Sequence, residues 1–342
     1  MIAAGSLARW QNREGYDEYV VRWGWADGGA LAPGFTAVLR VKDEARSIPW
    51  VLPPILRSVG RVVVVDNGST DGTPEVAERV AGTAGLSANL EVLSYPFPVS
   101  RCGPEHLATP PDSVHSLTYF YNWSFSHVRT RYALKWDGDM VLTPQGERVL
   151  RDLAWQLQAS DGAMLRMRRA AVYVESERVA YVDLAYSHGE LWGWPNSPNY
   201  TFIKCFDWEF IQPFADHIIE LPDVACFELK WLDAEEFAHW SDTSFDKTIM
   251  NARKRRDQRI FRALHQGSPL PDNVVRVESP NGGLHIIDYL RQVYAALRRN
   301  GGTVENVHLP SVNGRAGEPA LSSAQGAAPT PGPTQNGEIQ RG

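Results

Sequence analysis

The chain has 342 residues, a formal net charge of −6 and 43% hydrophobic residues. That length carries one large domain or two ordinary ones with a sizeable core, and the acidic balance excludes a generic nucleic-acid binder. The only cysteines, Cys102, Cys205 and Cys226, make neither a disulfide framework nor a zinc-ligand spacing, which suits a reducing compartment. The N-terminus has no apolar signal core and no stretch is apolar for long enough to span a bilayer, so a cytoplasmic protein is expected.

Residues 1–34 are aromatic and polar, end in "ADGGALAPG", and are set apart as an N-terminal arm. "FTAVLRVKDEA" (35–45) reads as a buried strand running into a charged turn. Ile48, Val51, Leu52, Ile55, Leu56 and Val59 then have helical spacing. Pro53 and Pro54 do not suit a helix interior, so a broken or kinked helix is expected. "RVVVVD" (61–66) is apolar without alternation, as in a parallel strand covered on both faces. After the turn, Thr73 can cap a helix, Pro74 fits its first position, Glu75 and Glu78 favour its positive end, and Gly82 stops it.

"LEVLSYPF" (90–97) is a further strand, and "VHSLTYFYNWSFSHV" a helix. "RYALKWDGDMVLTP" (131–144) is a strand ending in acids. The next segment places Val149, Leu150, Leu153, Ala154 and Leu157 on one helical face. This alternation of strand and helix over 35–160 predicts an α/β sheet that is helix-covered and Rossmann-like, with ligands at the carboxyl ends of its strands. From 161 to 300 the rhythm changes to a mixed sheet followed by a C-terminal helical extension, with helices over 233–265 and near 283–300. Residues 301–342 collapse to Gly, Pro, Ala, Ser, Thr and Gln, a tail expected to be disordered.

Two apolar strands end in acid, at Asp66 and at Asp137, with Asp139 two residues on. In a parallel sheet both ends emerge on one edge. Hard divalent cations take carboxylate oxygens and bridge them to a ligand's phosphates. Gly138 would let a diphosphate approach the backbone. Alone, Asp-Gly-Asp is also a plain surface turn, and Asp66-Asn67-Gly68-Ser69 is also a plain strand-to-helix turn. Sequons at Asn67, Asn122 and Asn199 are read as chance.

These residues resemble glycosyltransferase family 2, the GT-A nucleotide-sugar transferases. The resemblance covers about residues 35–145. Lys42-Asp43-Glu44 stands at the acidic first turn, where the family commonly has Asn-Glu. Val65 to Thr73 matches the second strand end, and Asp137-Gly138-Asp139 the metal motif. The resemblance implies a GT-A mixed sheet whose first half binds the donor and whose second half binds the acceptor. It implies transfer of a sugar from a nucleotide-diphosphate donor to a hydroxyl, with inversion. Asp66 and Asn67 would contact the nucleoside, with Arg40, Asp43, Glu44 and Asp137 lining the pocket. Asp137 and Asp139 would hold Mn²⁺ or Mg²⁺, which neutralises charge growing on the diphosphate. Inversion needs a carboxylate as general base. Glu190 and Glu209 are the candidates, with Asp207 and Asp183 behind them. His217 or His239 could be a further ligand, or simply a satisfied, partly buried histidine.

Trp192, Trp194, Tyr200 and Phe202 surround a Gly- and Pro-rich stretch read as a loop. They offer either an acceptor platform for a sugar or core packing. The basic run 251–262 is a solvated helix face or a peripheral contact with anionic lipid, useful for a lipid-linked rather than a carbohydrate or small-molecule acceptor. Three other readings compete. A haloacid-dehalogenase-like phosphohydrolase would use Asp137 and Asp139 with Mg²⁺, but that motif belongs on a first strand. A non-catalytic binding protein of the same fold would leave two intact acid motifs unused. A nucleotidyltransferase would need glycines that "RVKDEA" lacks.

Overall fold

The computed structural model describes residues 9–157, 162–185, 187–205, 208–211, 218–233, 252–280 and 283–302. Short strands β1 (Arg9–Trp10) and β2 (Val21–Arg22) pair with each other and lead into β3 (Ala32–Val41). Helix α1 (Ile48–Ser58), strand β4 (Arg61–Asp66), helix α2 (Thr73–Thr83) and strand β5 (Leu90–Ser94) follow. A short helix α3 (Pro104–Ala108) precedes α4 (Leu117–Phe125), β6 (Thr130–Asp137), β7 (Met140–Leu142) and α5 (Pro144–Gln156). The second half holds β8 (Met164–Val174), β9 (Val179–Asp183), β10 (His188–Pro195), β11 (Phe202–Cys205), β12 (Trp208–Ile211), β13 (Ile218–Glu220) and β14 (Cys226–Trp231). Helix α6 (Ala252–Gln266), strand β15 (Val274–Glu278) and helix α7 (Ile286–Arg299) complete it.

The main sheet is mixed and runs β15-β9-β8-β10-β6-β3-β4-β5, with β13 and β14 joined to β8 and β7 to β14. Strands β6, β3, β4 and β5 are mutually parallel, and β10 joins them antiparallel to β6. Val63 and Val65 of β4 belong to a core cluster with Tyr119, Phe120 and Trp123 of α4. Val62 and Val64, on the other pleat, are equally buried. With alternating side chains, this requires cover on both faces, and α1 and α2 supply the second layer. The expectation of a helix-covered mixed α/β sheet holds. No helix among the described residues is long and apolar enough to cross a membrane.

Three local expectations change. Helix α1 runs unbroken through Pro53 and Pro54. Val51, Leu52 and Ile55 are fully buried on its inner side, and that burial outweighs the hydrogen bonds the prolines cannot donate. Thr73 is the first helical residue rather than the cap, and Gly72 takes the cap position at φ 83°. The stretch read as a loop is strand β10 in mid-sheet as far as Pro195, and a turn only from Asn196 on. Residues 9–34 also pack closely on the rest: Val21 and Trp23 are buried, and the Tyr119 hydroxyl lies within hydrogen-bond distance of the Trp10 and Tyr19 carbonyls.

Candidate active site

The register fixes the strand ends. Arg40 of β3 lies opposite Asp137 on one side and Val65 on the other, and Val41 lies opposite Asp66. Both acid ends therefore reach the same edge, flanking β3. The turns that follow are stitched together. Asp43 N–H donates to Ser69 Oγ (2.8 Å), Glu44 N–H to Thr73 Oγ1 (2.8 Å) and Ala45 N–H to Asp71 Oδ2 (2.9 Å). In return Thr70 N–H donates to Asp43 Oδ1 at 2.7 Å. Asp43 sits at φ 55°, a left-handed conformation that aspartate tolerates better than most residues. Gly68 and Gly72 are left-handed too, which explains both glycines.

The acids of this loop have local work. Asp66 is buried, and its carboxylate accepts the N–H groups of Gly68 and Ser69. The Asn67 side-chain amide donates to the carbonyls of Tyr95 (2.9 Å) and Phe97 (2.8 Å). Burial pushes the Asp71 carboxyl upward, but hydrogen bonds from Thr73 and Ala45 outweigh it and hold it below its ordinary value. The edge is thus a braced floor.

Beyond β6 the chain turns through the acid pair. The Asp137 side chain is 36% exposed and meets Arg40 Nη2 at 3.2 Å. Arg40 is 5% exposed, its guanidinium 3.7 Å from the Tyr121 ring centre, with a buried Nε that has no partner. The Asp139 side chain is 22% exposed and meets Lys230 Nζ at 3.4 Å. A Cβ on Gly138 would lie 2.8 Å from Glu44 Cγ. Gly138 therefore makes room for Glu44. Burial pushes the Asp139 carboxyl up to about 7; Lys230 opposes this, while Glu228 and Asp137 add to it. Carboxylate oxygens are the ligands a hard divalent cation takes. Among the described residues no three His, Cys, Asp or Glu side chains converge on one point. A cation there would complete its shell from phosphate oxygens and water, as Mg²⁺ commonly does.

Glu190, one of the two general-base candidates, is held by two cations. Its carboxylate lies between Lys135 Nζ (2.7 Å) and Arg169 Nη1 (3.2 Å). Burial works to raise its pKa, but Lys135 and then Arg169 outweigh it and bring it down to about 2. A base that weak takes few protons near neutral pH. Asp183 is buried against Arg256, at 2.6 and 2.8 Å. Glu209 is half-buried on the β11–β12 hairpin, its Oε2 3.9 Å from Cys102 Sγ. It sits near Arg40: burial works against the Arg40 charge, and Tyr121, Asp137 and Glu209 support it. Asp207, His217 and His239 lie outside the described residues.

The aromatic platform is corrected. Trp192, Trp194, Tyr200 and Phe202 are all buried, and they are core. Trp192 still serves the charged cluster, because Lys135 and Arg169 lie 4.6 and 4.9 Å from its ring centre. In the basic run, Arg253 and Arg256 turn inward to Glu228 and Asp183, and Arg255, Arg259 and Arg262 remain exposed.

Sequence reasoning missed the cations that surround the acids. Glu228 of β14 accepts from Arg169 Nε (2.8 Å), Lys230 Nζ (2.5 Å) and Arg253 Nη1 (2.9 Å). The available signal was "FELKW", where Glu228 and Lys230 share one face of an apolar strand.

No family model matches the chain, and no curated protein does. Among solved structures it is similar to S. aureus TarS 1-349 in complex with UDP. The identity is 14% over 68% of this chain and 72% of that one, with a TM-score of 0.36. It is also similar to glucosyl-3-phosphoglycerate synthase from Mycobacterium tuberculosis in complex with Mg²⁺ and UDP. There the identity is 17% over 41% of this chain and 44% of that one, with a TM-score of 0.25. Likenesses of this degree assign no function.

Proposed function

We propose that the chain is a GT-A glycosyltransferase of the family 2 type, moving a sugar from a nucleotide-diphosphate donor to an acceptor hydroxyl with inversion. The observation that carries this reading is the parallel register that brings Asp66, Arg40 and Asp137 to one sheet edge. The nucleoside would lie over the braced 66–73 loop. Asp137 and Asp139 would hold Mn²⁺ or Mg²⁺, which supplies charge neutralisation to the departing diphosphate. Arg40, fixed under Tyr121, orients Asp137. Glu209 is the general base: it takes the acceptor hydroxyl's proton as that oxygen bonds the anomeric carbon. The carbon–oxygen bond to the diphosphate breaks, and its electron pair leaves with the phosphate. Exposed Arg255, Arg259 and Arg262 would suit an anionic lipid surface if the acceptor is lipid-linked.

Calorimetric titration with UDP, GDP and dTDP, each with and without Mn²⁺, tests the reading. One nucleotide should bind in a Mn²⁺-dependent way, and Asp139→Asn should weaken it at least tenfold. If a demonstrably folded protein binds none of them, the reading fails, and hydrolysis of phosphate monoesters becomes the first activity to assay.

A further inference from the structure

Both members of the acid pair already carry a cation from the chain itself, and the two cations differ in kind. Arg40 belongs to the neighbouring strand, is nearly inaccessible and is held under Tyr121. Lys230 reaches Asp139 from β14 on a flexible four-carbon stem. It is also shared. Its Nζ is 2.5 Å from Glu228 Oε1 but 3.4 Å from Asp139 Oδ2, so leaving Asp139 would not leave it unpaired.

The surrounding charge gives this arrangement a consequence. The cluster holds five cations, Arg40, Lys135, Arg169, Lys230 and Arg253, and four carboxylates, Asp137, Asp139, Glu190 and Glu228. Asp257, hydrogen-bonded to the Tyr173 hydroxyl deeper in, is a fifth acid whose carboxyl burial pushes upward. Glu44 beside Gly138 and Glu209 near Arg40 are further acids at this edge. A bare divalent cation would add two positive charges at carboxylates that Arg40 and Lys230 already face. A cation that arrives with a nucleoside diphosphate adds roughly no charge or a single negative one.

We propose that Lys230 is a resident counter-ion that occupies the cation position at Asp139 until a divalent cation enters together with a diphosphate, and then withdraws to Glu228. The inference rests on the glycosyltransferase reading in one respect, that the acid pair is where the metal binds. Metal and nucleotide then bind synergistically, and the lysine sets how weakly the metal binds alone.

The test measures unbound Mn²⁺ by electron paramagnetic resonance, titrating wild type, Lys230→Met and Lys230→Arg with and without each of UDP, GDP and dTDP. Glu228 keeps Arg169 and Arg253 in both variants, and circular dichroism checks their folding. Lys230→Met should bind Mn²⁺ alone about tenfold more tightly than wild type, about 1.4 kcal/mol. Lys230→Arg should stay near wild type. Wild type supplies a second arm that needs no variant: a nucleotide should raise its Mn²⁺ affinity at least tenfold. If Lys230→Met binds no more tightly than wild type, or if wild-type affinity is the same with and without a nucleotide that binds, the proposal is overturned and the functional reading stands. If no protein takes up Mn²⁺ under any condition, both are overturned.

Discussion

Replacing Glu228 with Gln should be among the most damaging isosteric changes in the chain. The side chain keeps its shape and loses only its charge. In the wild type that charge faces Arg169, Lys230 and Arg253 at 2.5–2.9 Å, in a pocket where Glu228 is 9% exposed. Burial works to raise its pKa, but Lys230, Arg169 and Arg253 hold the carboxyl well below its ordinary value. Removing one partner of a buried ion pair costs about 3–5 kcal/mol, because the remaining charge is stranded. Lys230 can lean further onto Asp139 and Arg169 can lean onto Glu190, so the lower end, about 3 kcal/mol, is expected. Urea unfolding followed by circular dichroism reads this directly. With a slope of about 3 kcal/mol per molar, the midpoint should fall by about 1 M. The folded pKa lies below the unfolded one, so this stability is fully present above about pH 4.5 and is lost as the pH falls further. The variant should therefore show a shallower acid slope. A loss under about 1 kcal/mol would refute the reasoning, since it would mean that water already compensates these charges.

Burial lowers the His127 pKa to about 4, with Glu91 opposing and Arg129 and Arg61 adding smaller effects. A neutral folded histidine contributes stability that is complete above about pH 6.5 and is lost as the pH falls to 4, up to about 3 kcal/mol; His127→Gln should flatten that window in thermal melts taken from pH 4 to 7. Trp194→Ala should cost about 3–5 kcal/mol of stability, as a core aromatic does; an unchanged melting temperature would restore the platform reading. Gly138→Ala should force the Glu44 side chain aside, cost about 1–3 kcal/mol, and weaken Mn²⁺-dependent nucleotide binding, measured by calorimetry.

Much of the first half was legible because its strands are bounded by strong signals. The unbroken valines of "RVVVVD" gave a doubly covered strand, and a parallel sheet then required Asp66 and Asp137 to share an edge. The braced loop was legible only as an absence of bulk. Asp43, Asp71 and Asn67 stitch segments 26 to 30 residues apart, and no local pattern announces that. The cation cluster was illegible for the same reason. Arg169 and Glu228 meet because β14 lies parallel to β8, a pairing across 59 residues. The tryptophans misled in the opposite direction: Gly193 and Pro195 suggested a loop, yet Gly193 sits mid-strand because Leu165 occupies the space a side chain would need.

The most direct measurement is an anomalous difference map from crystals grown with Mn²⁺ and whichever nucleotide binds by calorimetry. The account predicts a manganese peak against the Asp139 carboxylate, with the diphosphate on it and the nucleoside over the 66–73 loop. Manganese and nucleotide bound away from the Asp66–Asp137 edge would contradict it.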